Sequence, residues 1–313
     1  MYKSINISRV VVSLAMIASM AAITTSSQAA ESSVLKIATG PKGKGYSKMF
    51  QNIKDICGDK VPMVELNTEG GLDNLNVLSL KKAHVGIAQI DTITTMKAGN
   101  ESIAAFQQVL AINNNYLNIL VSSNGYKIPG EKKWGGLGSE KDTVAYISQF
   151  SQLRGKNVAL VGSAKLLGQK LDKALGFGMK FVEVGSDAEA QDLVKKGIVH
   201  AMFTVAGVNS DAINKLAPAN GLRLAGFDVP VSAPLVVKPV TYSNIGSYNV
   251  QALAIRNVIV SRPFKGPNAK LVADLKACII QNLQNLNEGE YEPGWNEVKN
   301  YNQDLGIEQF PGK

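Results

Sequence analysis

The residues best placed for chemistry stand in short polar turns that follow apolar runs. Gly40-Pro41-Lys42-Gly43-Lys44-Gly45-Tyr46 follows one such run and opens a helical pattern. A glycine-rich turn of this kind presents backbone N–H groups, and the dipole of the helix adds partial positive charge, so a carboxylate or phosphate is favoured there. Gly43, Lys44, Gly45 and Tyr46 are therefore expected ligand contacts. The order Gly-x-x-Gly-x-Gly is not the dinucleotide fingerprint G-x-G-x-x-G, and no Gly-Lys-Ser/Thr triplet of a nucleotide P-loop follows. A second polar turn, Asn67-Thr68-Glu69-Gly70-Gly71, precedes a helix with Asn74 on its first turn. Gly71 and Asn74 are expected to face the same crevice, where the Asn74 amide offers a donor and an acceptor; local capping is the alternative. Gln89 and Asp91 follow a third run and share one side of it, although Asp91 serves equally well as an N-cap. Later in the chain, Gly162-Ser163 and Thr204-Val205-Ala206-Gly207 end two further runs and offer backbone and hydroxyl donors.

These residues do not assemble into a catalyst. Ser163 has no neighbouring His and Asp to activate it. Two cysteines and two histidines fit no zinc spacing, so neither a metal nor a cofactor is expected. His84 and His200 read as strand-start residues with hydrogen-bond partners.

The elements that must position these turns alternate. Strand patterns at 34–39, 63–67 and 84–89, helical patterns near 46–57 and 72–80, and apolar runs at 108–112 and 116–122 make a first lobe. A second series has strands at 157–161, 180–184, 199–204 and 222–225, with helices near 165–175, 187–196 and 209–216. Such alternation is the signature of an α/β fold in which each lobe is a mostly parallel sheet with flanking helices. The segment 80–87 also echoes 194–202, each a helix end, a basic turn and a strand. Glycines and prolines at 125–150 mark an extra loop segment. Beyond Pro230 come extended segments, a long strand at 250–261 and a helix at 267–286 that would return to the first lobe. The domain reading is thus lobe 1 at 30–123 plus 238–313 and lobe 2 at 124–237, with ligands expected in the cleft at the strand ends.

Length, charge and leader bound the function class. A chain of 313 residues suits two domains. Lys3 and Arg9, an apolar run from Val10 to about Ile23, and Ser27-Gln28-Ala29 form the tripartite pattern of a cleaved signal peptide at 1–29, which implies export to the periplasm. Cleavage removes Lys3 and Arg9 and no acid, so the formal charge of +8 falls by 2 to +6. Scattered basic residues argue against nucleic acid and agree with a small anionic ligand. Cys57 and Cys278 would enter an oxidising compartment, where a disulfide is permitted and two buried thiols are the alternative. A C-terminal helix packing near the helix of Cys57 favours the disulfide.

In order along the chain, Leu35-Lys36-Ile37-Ala38-Thr39-Gly40 through Tyr46, Gly71-Leu72-Asp73-Asn74-Leu75 and Gln89-Ile90-Asp91 resemble landmarks of the TAXI family of TRAP-transporter solute receptors. Leu153-Arg154-Gly155-Lys156-Asn157-Val158-Ala159 is similar to the second-lobe start of type 2 periplasmic binding proteins, and 201–207 and Thr241-Tyr242 resemble later landmarks. Gly43-Lys44-Gly45-Tyr46 departs from the family's usual Gly-Gly-Thr/Ser-Tyr. The resemblance implies a venus-flytrap fold, a monomer that delivers a small organic anion, a carboxylate or acidic amino acid, to an integral-membrane permease. It implies ligand contacts at Tyr46, Asn74, Gln89, Asp91, Ser163, Thr204 and Tyr242. An ABC-type receptor and a ligand-sensing protein are alternatives of the same fold.

Overall fold

The computed structural model describes residues 34–130, 141–208 and 210–311. The signal-peptide segment 1–29 and the stretch of the 125–150 segment that carries Trp134 lie outside the described residues. Among the described residues no helix is long and apolar enough to cross a membrane.

The first half alternates as its sequence pattern dictates: β1 (Leu35–Ala38), α1 (Gly45–Cys57), β2 (Met63–Leu66), α2 (Gly71–Ser79), β3 (Val85–Gln89), α3 (Ile90–Lys97) and α4 (Glu101–Ala104). There follows β4 (Gln107–Ser122), then a hairpin of β5 (Tyr126–Ile128) and β6 (Thr143–Ala145) inside what the composition marks as loop. The second half comprises β7 (Asn157–Val161), α5 (Ala164–Leu175), β8 (Lys180–Val184), α6 (Asp187–Lys195), β9 (Ala201–Ala206), α7 (Asp211–Asn214) and β10 (Leu222–Ala225). The return is β11 (Val236–Tyr242), β12 (Ser247–Ser261), α8 (Gly266–Gln281) and α9 (Leu283–Glu288). The single helix expected at 267–286 is broken at Asn282, whose Nδ2 turns back to donate to the Cys278 carbonyl at 2.9 Å.

One sheet runs through both halves in the order β2-β1-β3-β12-β4-β9-β7-β8. Its two ends are parallel, because helices cross over between β1, β2 and β3 and between β7, β8 and β9. Its centre is antiparallel and belongs to both halves. The 16-residue β4 pairs with β12 over Gln107–Leu117, with β9 over Tyr116–Val121 and with β10 over Ile119–Ser122, while β12 pairs with β3 from Asn257 onward. At roughly 3.3 Å per residue, β4 spans about 50 Å, enough to cross from one half to the other. The register slips by a bulge between Arg256 and Val258, where the strands pass between the halves.

Packing follows this division. Leu35, Ile37, Phe50, Ile53, Val272, Leu275 and Trp295 form a cluster that holds α1 and α8 on the first half. Val184, Val194, Val199, Met202, Leu216, Tyr242 and Ala254 form another, so β11 and the start of β12 pack with the second half. Cys57 and Cys278 are joined by a disulfide, with their Cα atoms 6.0 Å apart, and tie α1 to α8. The repeated segments occupy equivalent places: His84 Nδ1 accepts from the Lys36 N–H at 2.9 Å, and His200 Nδ1 accepts from the Asn157 N–H at 3.3 Å. Burial, and the positive charge of Arg262 and Lys36 beside His84 and of Lys156 beside His200, lowers both imidazole pKa values and favours the neutral ring that can accept.

A cleft lined by uncapped helix starts

Turns from both halves open onto one cleft of about 1340 Å³. Gly43, Lys44, Gly45 and Tyr46, Gly70 and Gly71, and Gln89 line it from the first half; Gly162, Ser163, Thr204 and Gly207 line it from the second. The two glycine turns of the first half meet closely. Gly40 and Gly70 have φ of +120° and +129°, and a Cβ on Gly40 would stand 3.4 Å from the Gly70 Cα. Only glycine adopts this backbone without strain, and it brings the starts of α1 and α2 to the same rim.

The first N–H groups of a helix need an acceptor from outside it. Lys44 ahead of α1, Gly70 ahead of α2, Gln89 ahead of α3 and Ser163 ahead of α5 make no side-chain cap. Away from the cleft, Asn100 caps α4 on the Ile103 N–H and Ser186 caps α6 on the Glu189 N–H, whereas α8 and α9 also start without a side-chain cap. The starts of α1 and α5 also carry no acidic residue in the first turn. Helix starts carry partial positive charge, so several of them on the lining of one cleft suit an anion.

The cleft floor is a polar network of the crossing strands. Tyr46 donates to Asn257 Oδ1 at 2.7 Å, and Asn257 Nδ2 donates to Asn113 Oδ1 and Asn115 Oδ1, each at 3.0 Å. Burial and the negative charge of Asp91 push the Tyr46 phenol far above its ordinary pKa, which keeps it a proton donor. On one wall Glu297 accepts from Asn114 and Tyr116. Charged pairs flank the opening, Lys165 with Glu183 at 3.3 Å and Lys48 with Glu292 at 3.8 Å.

Three expected contacts stand behind the cleft and do not line it. Asn74 is fully buried; its Nδ2 donates to the Ile87 carbonyl at 2.7 Å and its Oδ1 accepts from Thr68, so it braces α2 against β3. Asp91 is 3% exposed, close enough to Tyr46 for its charge to act on the phenol, and burial raises its pKa. Tyr242 is 2% exposed and packs in the second-half cluster. Asn113, Asn114, Asn115 and Glu297 also line the cleft, although no motif in the sequence points to them. Three asparagines inside an apolar run were the available signal for the floor; nothing local marks Glu297.

Among the described residues no three His, Cys, Asp or Glu side chains gather as a metal site. His200 sits at the start of β9 and Thr204–Ala206 at its cleft end, so roughly 15 Å of strand separates that imidazole from the cleft.

No protein-family model and no curated protein matches the sequence. Among solved structures, XAC2383 from Xanthomonas citri bound to ATP superposes with a TM-score of 0.53 at 12% identity, over 86% of this chain and 90% of that one. The same protein bound to chloride ion gives 0.52 at 12% identity, over 86% and 89%. The GLUR0 ligand binding core in complex with L-glutamate gives 0.50 at 12% identity, over 85% and 99%. At this identity the likeness is one of fold. Two α/β lobes joined by long crossing strands around a cleft make this the two-lobe venus-flytrap fold of type 2 periplasmic binding proteins.

Proposed function

We propose that this chain is an extracytoplasmic solute receptor that captures a small organic anion and delivers it to a TRAP-type membrane permease, as a member of the TAXI class. The observation that carries the reading is the set of four helix starts, from both halves, that lack side-chain caps at one cleft. The volume of about 1340 Å³ exceeds the ~300–1,000 Å³ of enclosed ligand pockets, so the lobes narrow the cleft to enclose a small molecule. Lobe 2 is taken as 124–237 and lobe 1 as the remainder after a cleaved leader at 1–29. The receptor works as a monomer in the periplasm. Binding without turnover is the reading, since Ser163 has no neighbouring His and Asp in the sequence to form a triad.

A second reading, ligand sensing through a membrane partner, is favoured by the β5–β6 hairpin, which stands outside the main sheet and exposes Ile128, Val144 and Tyr146. Co-purification with a permease or with a sensor separates the two.

The test of the first reading is thermal melting of the purified exported protein against a carboxylate library. A ligand at 100 times its Kd stabilises by about 2.7 kcal/mol, which raises Tm by roughly 5–10 °C in a chain of this size. A flat response across the library contradicts anion capture.

A further inference from the structure

We propose that the turn Leu80-Lys81-Lys82 docks the protein on an anionic lipid bilayer, its lysines meeting headgroup phosphates and Leu80 entering the boundary with the acyl chains. The turn does not line the cleft: β3 runs from it to Gln89, which does, so roughly 15 Å of strand lies between. The proposal goes beyond ligand capture and does not depend on what the cleft holds.

The echo between 80–87 and 194–202 gives two turns of one geometry. After α2 the Lys81 N–H donates to the Leu78 carbonyl at 3.0 Å and the Lys82 N–H to the Val77 carbonyl at 2.9 Å. After α6 the Gly197 N–H donates to the Val194 carbonyl and the Ile198 N–H to the Leu193 carbonyl, each at 3.0 Å. A helix stop of this form puts one residue in the left-handed conformation, where glycine alone is free of strain. Gly197 stands there at φ +69°, but Lys81 takes the equivalent place at φ +61°. The first turn thus holds a lysine against the preference of its backbone, beside a Leu80 that is 63% exposed. Strain kept at one of two matching turns points to a use for that side chain.

The surroundings of Lys81 are positive. Lys36 on β1 exchanges hydrogen bonds with His84, just past the turn. Arg262 Nε donates to the Ala83 carbonyl at 3.2 Å, and its guanidinium lies over Phe264 at 4.7 Å. Lys36, Lys81 and Lys82 are exposed, and among the described residues none of these four cations is in an ion pair. At the second turn, by contrast, Lys196 pairs with Asp192 at 2.6 Å. Glu308, at the same end of the sheet as Arg262, accepts from Gln107 Nε2 at 2.8 Å. Exposed lysines around one aliphatic tip match a plane of headgroup phosphates over an acyl layer. A protein partner is usually held by aromatic or arginine anchors in pockets, which this turn does not offer. The leader proposed for 1–29 also joins the fold at this end, because β1 begins at Leu35 beside Lys36. During export the lysine-bearing end is therefore the one next to the membrane.

The experiment is sedimentation of the purified exported protein with vesicles of phosphatidylcholine alone and of equal parts phosphatidylcholine and phosphatidylglycerol. Binding to the mixed vesicles, absent from the neutral ones and lost in high salt, is expected. Lys81→Gly with Lys82→Gln is expected to weaken it about 30-fold, at roughly 5-fold per basic residue. Lys81→Gly alone is expected to melt no lower than the parent, since glycine relieves the backbone, so its loss of binding is not a loss of fold. Leu80→Ser keeps the charge and is expected to weaken binding several-fold, whereas Lys196→Gln at the second turn leaves it unchanged. No binding to the mixed vesicles, equal binding to both kinds, binding unmoved by the Lys81 and Leu80 variants, or an equal loss from Lys196→Gln overturns the proposal. Binding to poly-glutamate with none to vesicles assigns the turn to an acidic protein surface and overturns it too. Each of these outcomes leaves the carboxylate melting test of the cleft untouched.

Discussion

Asp91 has a carboxyl oxygen, Oδ1, that is buried and meets no hydrogen-bond donor among the described residues. Burial raises its pKa above the ordinary 3.8, against the opposing pull of the Thr92 N–H and of Lys170. The folded chain therefore holds that proton more tightly than the unfolded chain. The stability this contributes is complete below about pH 3.8 and is lost as pH rises through the raised value. Asp91→Asn is expected to melt higher than the parent at pH 7, with the difference shrinking as pH falls toward 4; melting curves across that range check it, and a variant that melts lower at pH 7 contradicts it. At this scale the glycine-rich turn, Gln89, Gly162-Ser163 and Thr204 were legible as cleft residues, because a turn between a strand end and a helix start has one place to go in an α/β lobe. Asn74, Asp91 and Tyr242 were not. A polar side chain one turn into a helix can point to the crevice or into the layer behind it, and only the packed neighbours, Thr68 and Ile87 for Asn74, decide which.

Among the elements, β4 shows most clearly what a single sequence conceals. Its apolar stretches at 108–112 and 116–122 read as two runs, because Asn113, Asn114 and Asn115 interrupt them. The strand is continuous because those three amides are satisfied by Asn257, Tyr46 and Glu297, which arrive from distant parts of the chain. The alternation that defines the parallel ends of the sheet is local, and so was readable. The α1–α8 tie is also an element-scale device: its cysteines are 221 residues apart. Closing so long a loop restricts the unfolded chain by an amount worth about 5 kcal/mol in the chain-entropy account, with measured effects more often ~2–4 kcal/mol. The Cys57→Ser, Cys278→Ser double variant is expected to melt roughly 5–15 °C lower, whereas an unchanged Tm, or two free thiols titrated in the unfolded, non-reduced parent, contradicts the tie.

For the whole molecule, the proposed capture depends on how the halves are joined. β4 and β12 cross between them side by side, and the polar floor of Tyr46, Asn113, Asn115 and Asn257 lies where they cross. Paired strands resist stretching but bend about a bulge, so the proposed capture of a ligand would proceed by hinge closure of one half on the other. A guest that completes the helix starts of both halves stabilises the closed arrangement by its differential affinity for that state. The central claim is therefore that an anion draws α1 and α5 together. The most direct measurement is the distance between fluorophores placed on exposed positions Lys42 and Lys173, one on each half, read by energy transfer before and after saturation with a carboxylate that binds. A shortening of several ångströms that reverses on dialysis is expected; a distance unchanged at saturation contradicts anion-driven closure.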